Sequence, residues 1–142
     1  MSIEEICEKY DIEEYIINDD GSIDVNECVY LDVYDLNADI GYLSELPLNF
    51  NKVTGDFYCN EHVLTTLKGS PKWVGGSFYC HHNKLTDLKY CPNSIGGNLF
   101  CSRNNITSLE YYPENIGGYI NFKDTPIGSV CVGVDVDFAR AF

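Results

Sequence analysis

Apolar residues return at a fixed interval of 21 along most of the chain. With units beginning at Val53, Val74, Ile95 and Ile116, the fifth residue is Phe57, Phe78, Leu99 and Ile120, and the seventh is Cys59, Cys80, Cys101 and Phe122. The twelfth is Leu64, Leu85, Ile106 and Ile127, and the fifteenth is Leu67, Leu88, Leu109 and Val130. A unit this short cannot bury an apolar face alone, so the period predicts coils stacked into a solenoid. The fifth and seventh residues point inward and the sixth outward, as in a strand, and successive strands are expected to form one parallel sheet at a spacing of about 4.8 Å. Gly75-Gly76, Gly96-Gly97 and Gly117-Gly118 precede the strands as turns or bulges, and Thr54-Gly55 keeps one glycine. Asn83 and Asn104 stand where a side-chain amide can bond turning backbone, with His62 and Thr125 in their place in the outer coils. Pro71, Pro92 and Pro113 mark return segments too short for a long helix, which predicts extended or turn-like backbone.

The first half-period differs. Residues 2 to about 17 read as a helix, because Ser2 and Glu5 have capping-box spacing and Ile3, Ile6, Cys7 and Tyr10 form an apolar stripe. Asn18-Asp19-Asp20-Gly21 breaks it, and Ile23, Val25, Val29, Leu31 and Val33 then alternate with polar residues as strands do. Residues 1–31 are therefore expected to be a helix-and-strand cap over the apolar end of the stack. Leu36, Leu43 and Leu46 fall one period before Phe57, Leu64 and Leu67, making residues 32–52 a degraded first coil of a solenoid that runs to residue 130. Ile127, Val130, Val132, Val134 and Val136 alternate, and Phe138 and Phe142 follow, so 131–142 reads as an irregular C-terminal cap. Its edge is alternatively open to a second copy or a partner strand. The class expected is a single compact α+β solenoid.

The spacing Phe78-x-Cys80-x-x-Asn83-x-Leu85-x-x-Leu88 resembles the leucine-rich repeat in its short form without long helices, over roughly residues 32–130. The fuller pattern Gly-Gly-x-Phe-x-Cys-x-x-Asn-x-Leu-Thr-x-Leu-x-x-x-Pro also resembles small repeat proteins carried by tailed bacteriophages. The segment Asn18-Asp19-Asp20-Gly21-Ser22-Ile23-Asp24-Val25 shares that resemblance. The resemblance implies a protein-interaction module and carries no catalytic residue. It further implies a host factor as partner, such as a component of antiphage defence that the chain would inhibit.

Nine basic residues against twenty-two acidic ones give a formal charge of −13, which disfavours a direct grip on nucleic-acid phosphates and favours partners with a basic surface. There is no apolar run of membrane-spanning length, and the N-terminus is acidic where a secretory signal is basic, so a soluble cytoplasmic protein is expected. Seven cysteines, an odd number with Cys59, Cys80 and Cys101 at one inward repeat position, read as reduced structural thiols, not a disulfide scaffold.

The outward residue between the two inward strand positions is Tyr58, Tyr79, Phe100 and then Asn121, an aromatic ladder expected on the concave face. Polar residues flank it: Asn60-Glu61, His81-His82, Ser102-Arg103 and Lys123-Asp124. Rigid aromatics beside an arginine and acids have the makeup of a binding hot spot. The expected partner site therefore comprises Tyr58, Tyr79 and Phe100 for apolar contact, His81, His82 and Arg103 for polarity, and Asp56, Glu61 and Asp124 for selecting a partner. Cross-strand stacking that merely stabilises the sheet is the competing explanation.

Alternation sends Cys80 inward and His81 outward, so neither a Cys–His zinc site nor an activated thiol is expected, although acidic neighbours leave room for a weak surface site. The 18–27 segment matches a calcium loop only in part, since Ile16 occupies its first ligand position. There is no Gly-x-Ser-x-Gly, Walker loop or His-Glu-x-x-His, so a non-enzymatic binder without cofactor or assigned metal is expected. Three other classes fit the composition: an acidic mimic of nucleic acid using the N-terminal helix with Asp32, Asp35, Asp39 and Glu45, a small-molecule sponge, and a structural module of a larger assembly.

Overall fold

The computed structural model describes residues 1–32 and 41–130. Val33, Asp35, Leu36, Asp39 and the proposed C-terminal cap at 131–142 lie outside the described residues. A short helix, α1 (Ile3–Lys9), leads to β1 (Tyr15–Ile17), β2 (Ile23–Val25) and β3 (Val29–Tyr30). Strands then come in pairs, one pair per coil: β4 (Phe50–Val53) and β5 (Phe57–Tyr58), β6 (Trp73–Val74) and β7 (Phe78–Tyr79), β8 (Ser94–Ile95) and β9 (Leu99–Phe100), β10 (Asn115–Ile116) and β11 (Ile120–Asn121). A helical turn, α2 (Pro126–Val130), ends the described chain. The molecule is a β-solenoid of stacked coils.

The expected single sheet is two. One runs β1-β2-β4-β6-β8-β10 and the other β11-β9-β7-β5-β3, parallel throughout except for the β1–β2 hairpin. This first ladder escapes the sequence because β6, β8 and β10 each offer one repeating apolar residue, Val74, Ile95 and Ile116, directly before a glycine pair, so no in–out–in alternation shows. That pair is required by close approach. A Cβ on Gly96 would lie 2.1 Å from the Gly75 carbonyl oxygen, and one on Gly117 would lie 1.9 Å from that of Gly96.

The expected inward positions are the core. Phe57, Phe78, Leu99, Leu64, Leu85 and Ile106 are completely or almost completely buried, and Cys59, Cys80 and Cys101 are free thiols at 0% exposure. The Phe57 and Phe78 rings stack at 5.4 Å, with Phe50 edge-on to Phe57 at 5.0 Å. Each such side chain contributes roughly 1.5–3 kcal/mol of burial, realised only while its neighbours stay stacked.

Asparagines tie the turns. Asn83 accepts the Leu64 N–H at 2.9 Å and donates to the Cys59 and Cys80 carbonyls at 3.0 Å each. Asn104 repeats this one coil on, with Leu85 N–H, Cys80 and Cys101. His62 does the same work with a ring: Nδ1 accepts the Leu43 N–H, which fixes the tautomer in which Nε2 donates to the Leu31 carbonyl. Thr125 bonds the Phe122 carbonyl and the Gly128 N–H.

Two N-terminal expectations change. The helix stops at Lys9, not near residue 17. Its capping box is present at Ser2 and Glu5, but Asp11 takes a left-handed φ of 55°, and Tyr15–Ile17 pairs antiparallel with Ile23–Val25 across the Asn18–Ser22 turn. β-Branched Ile16 and Ile17 suit a hairpin better than a helix. Stacking also begins earlier than residue 32: Val25 is in register with Val53, Val29 with Phe57 and Tyr30 with Tyr58, a separation of 28 instead of 21. The return half keeps the 21-residue register, since Val63 N–H bonds the Leu43 carbonyl as Lys84 N–H bonds that of Leu64. Leu43 packs on the core and Leu46 is buried, both as expected. The seven additional residues therefore fall between Leu31 and Leu43.

Candidate functional site

In-register parallel pairing places the sixth residue of each coil directly beside its counterpart. Tyr30, Tyr58, Tyr79 and Phe100 consequently stack in one row, with centroids 5.0, 4.3 and 4.7 Å apart and ring planes within 12° of parallel. Tyr119 meets Phe100 edge-on at 5.8 Å, and Asn121 ends the row on β11. Tyr30 and Tyr119 were not among the expected site residues. Val29-Tyr30-Leu31 has the same in–out–in pattern as Phe57-Tyr58-Cys59, but the 28-residue separation hides it from a 21-residue frame. Tyr30 is 50% exposed, whereas Tyr58, Tyr79 and Phe100 are half-buried by one another. Burial, with Tyr79 and then Asp56 adding to it, pushes the Tyr58 phenol well above the ordinary tyrosine range, so this phenol is neutral at physiological pH.

A hydrogen-bonded row at the base of the strands supports the rings. The Asp56 N–H donates to Cys28 Sγ, Ser77 N–H to Asp56 Oδ1 at 2.7 Å, Asn98 N–H to Ser77 Oγ at 2.9 Å and Tyr119 N–H to Asn98 Oδ1 at 3.0 Å. One oxygen of Asp56 is therefore committed to the neighbouring coil, and the other lies 3.4 Å from the Tyr58 hydroxyl. Of the expected acidic selectors, Asp56 is tied inward while Glu61 and Asp124 stay exposed.

Past the strand ends two polar rows run alongside the rings. The eighth residues are Asp32, Asn60, His81, Ser102 and Lys123, and the ninth are Glu61, His82, Arg103 and Asp124. All four ninth residues adopt left-handed backbone, with φ of 60°, 55°, 51° and 57°, although none is glycine. Arg103 Nε pairs with Asp124 Oδ2 at 3.5 Å, both side chains more than half exposed. His81 lies edge-on to Tyr79 at 6.2 Å and to His82 at 5.4 Å. Burial, then the neighbouring His82, lowers the His81 pKa against the opposing pull of Glu61 and Asp32, leaving its imidazole neutral at pH 7.

The structure thus brings together Tyr58, Tyr79 and Phe100, then His81, His82 and Glu61, then Arg103 and Asp124. Cys80 stays in the core, on the other side of the strand from His81. Among the described residues, no helix is long and apolar enough to cross a membrane. Comparison with protein-family models, curated proteins and solved structures finds no significant match.

Proposed function

We propose that this chain is a non-enzymatic binding protein whose partner is another protein, held against the aromatic row. The observation that carries the reading is the stack of Tyr30, Tyr58, Tyr79 and Phe100, a contiguous apolar strip bordered by polar residues. Pairwise stacking alone contributes about 0.2–1 kcal/mol per cross-strand pair, which does not call for rings left half open to solvent along four consecutive rungs. Pre-stacked rings lose little side-chain entropy on binding. The partner surface that fits has an apolar centre to lie on the rings and basic residues to meet Glu61, Asp124 and a chain of net charge −13.

The finer assignments belong to the same proposal. The coils are of the leucine-rich-repeat type, with α1 and the β1–β2 hairpin covering the N-terminal end of the stack. The bacteriophage resemblance supports a cytoplasmic host protein as the target, inhibited by occupancy of its surface. Affinity capture from a bacterial lysate, followed by titration of the purified partner, tests this. Replacing Tyr58, Tyr79 and Phe100 by Ala in a folded variant is expected to weaken binding by at least about 30-fold, the scale of a hot spot of 2 kcal/mol. Unchanged affinity in that variant would overturn the proposal. The charge of −13 favours one second reading, an acidic mimic occupying a basic groove. In that case DNA would compete for the partner, and salt, not loss of the aromatics, would abolish binding.

A further inference from the structure

We propose that Glu61, His81 and His82 form a binding site for a divalent transition-metal ion of the zinc class. One potential ligand atom from each lies within 4.8 Å of the other two. Tetrahedral zinc with bonds of about 2.0–2.1 Å needs its donors roughly 3.3 Å apart. The remaining closure falls to χ rotations of Glu61 and His82, both exposed side chains.

Backbone geometry creates the convergence. Regular alternation would send His81 and His82 to opposite faces, but the left-handed turn at His82 (φ 55°) swings its ring back beside that of His81, with centroids 5.4 Å apart. Glu61 arrives from the preceding coil, where its N–H donates to the His81 carbonyl at 3.0 Å and its own left-handed φ of 60° repeats the turn. The two coils thus present three donors at one corner of the stack.

A second observation points to a ligand at this corner. The Nδ1 of His81 is buried without a hydrogen-bond partner, and so are Asn60 Oδ1 and Asp32 Oδ1, which occupy the same repeat position in the two preceding coils. Asn60 is only 7% exposed. Left unpartnered, the His81 Nδ1 costs about 1–3 kcal/mol, and a cation bound at this corner would satisfy it. Two imidazoles and a carboxylate select zinc, nickel or copper over magnesium or calcium, which prefer all-oxygen shells. Three protein ligands leave a fourth position for water or for a side chain brought by a partner. The site does not depend on the aromatic row being a binding face.

Cobalt(II) as a spectroscopic probe and zinc by calorimetry, titrated into the intact chain, test the assignment. The expected result is one ion per chain with the visible absorption of four-coordinate cobalt, resistant to excess magnesium. Affinity should weaken by at least about tenfold in each of Glu61→Gln, His81→Gln and His82→Asn, and stay unchanged in Asp124→Asn. Asparagine tolerates left-handed backbone, so His82→Asn keeps the fold, checked by far-UV circular dichroism. Absence of saturable binding, full affinity in the His81→Gln/His82→Asn double variant, or a thiolate-to-cobalt charge-transfer band marking cysteine ligands would each overturn it.

Discussion

Replacing Asn83 by Ala probes the bond between coils directly. Its amide is 7% exposed and serves three backbone groups at 2.9–3.0 Å. One of these, the Cys80 carbonyl, keeps the Asn104 amide as a donor at 3.0 Å. The Leu64 N–H and the Cys59 carbonyl lose the bonds that Asn83 gives them. Each buried group left unsatisfied costs about 1–3 kcal/mol, so Asn83→Ala should cost about 2–6 kcal/mol. That is a large part of the stability of a typical domain, and at about 3 kcal/mol it lowers the melting temperature by roughly 6–12 °C. Urea unfolding followed by far-UV circular dichroism measures it, with the exposed Asn105→Ala as control. Asn83→Asp adds a test by sign. Burial would raise the folded pKa of the introduced carboxyl, so its relative stability is greatest in acid and is lost as pH rises through that value. A loss below about 1 kcal/mol for Asn83→Ala would refute the claim that the amide row holds adjacent coils together.

Gly96→Ala should destabilise by about 1–3 kcal/mol, measured by chemical denaturation, because a Cβ 2.1 Å from the Gly75 carbonyl forces the coils apart. Burial pushes the Cys80 thiol from an ordinary 9.0 up to about 12 and also raises Cys59, Cys91 and Cys101. The stability linked to these groups is therefore complete below about pH 9 and drains away as pH rises toward 12, by at most about 1.4 kcal/mol per pH unit per thiol. Urea midpoints at about pH 8 and about pH 11 check the sign, and alkylation of Cys80 in the native state as fast as in the unfolded chain would contradict its burial. Arg103→Ala should change stability by less than about 1 kcal/mol, since its pair with Asp124 is exposed, yet should alter the salt dependence of partner binding.

The period carried most of the fold. Phe57, Phe78, Leu99 and the three cysteines declare themselves as inward residues because the interval repeats without error from Val53 onward. It failed where the interval changes: seven extra residues between Leu31 and Leu43 disguise β3, and with it Tyr30, as part of a cap. The ladder through β6, β8 and β10 is illegible for another reason, since a single apolar residue followed by two glycines leaves no alternation to read. The polar corner was half legible. Glu61, His81 and His82 stand out in the sequence as polar flanks, but their convergence depends on left-handed backbone at Glu61 and His82, neither of them glycine, a tertiary constraint that no local propensity encodes. Conversely, the amide row at Asn83 and Asn104 was readable because few side chains can both accept and donate at one turn.

The parallel registration of the coils also makes the molecule a ruler. Each 21-residue unit advances the stack by one inter-strand step of about 4.8 Å and adds one rung to the row that Tyr30, Tyr58, Tyr79 and Phe100 begin. Duplicating the unit from Val74 to Ser94 would lengthen that row by a single increment, placing a second tyrosine rung between Tyr79 and Phe100. The length of the row can thus change only in whole steps, one repeat at a time, because the inward positions recur at each 21-residue interval.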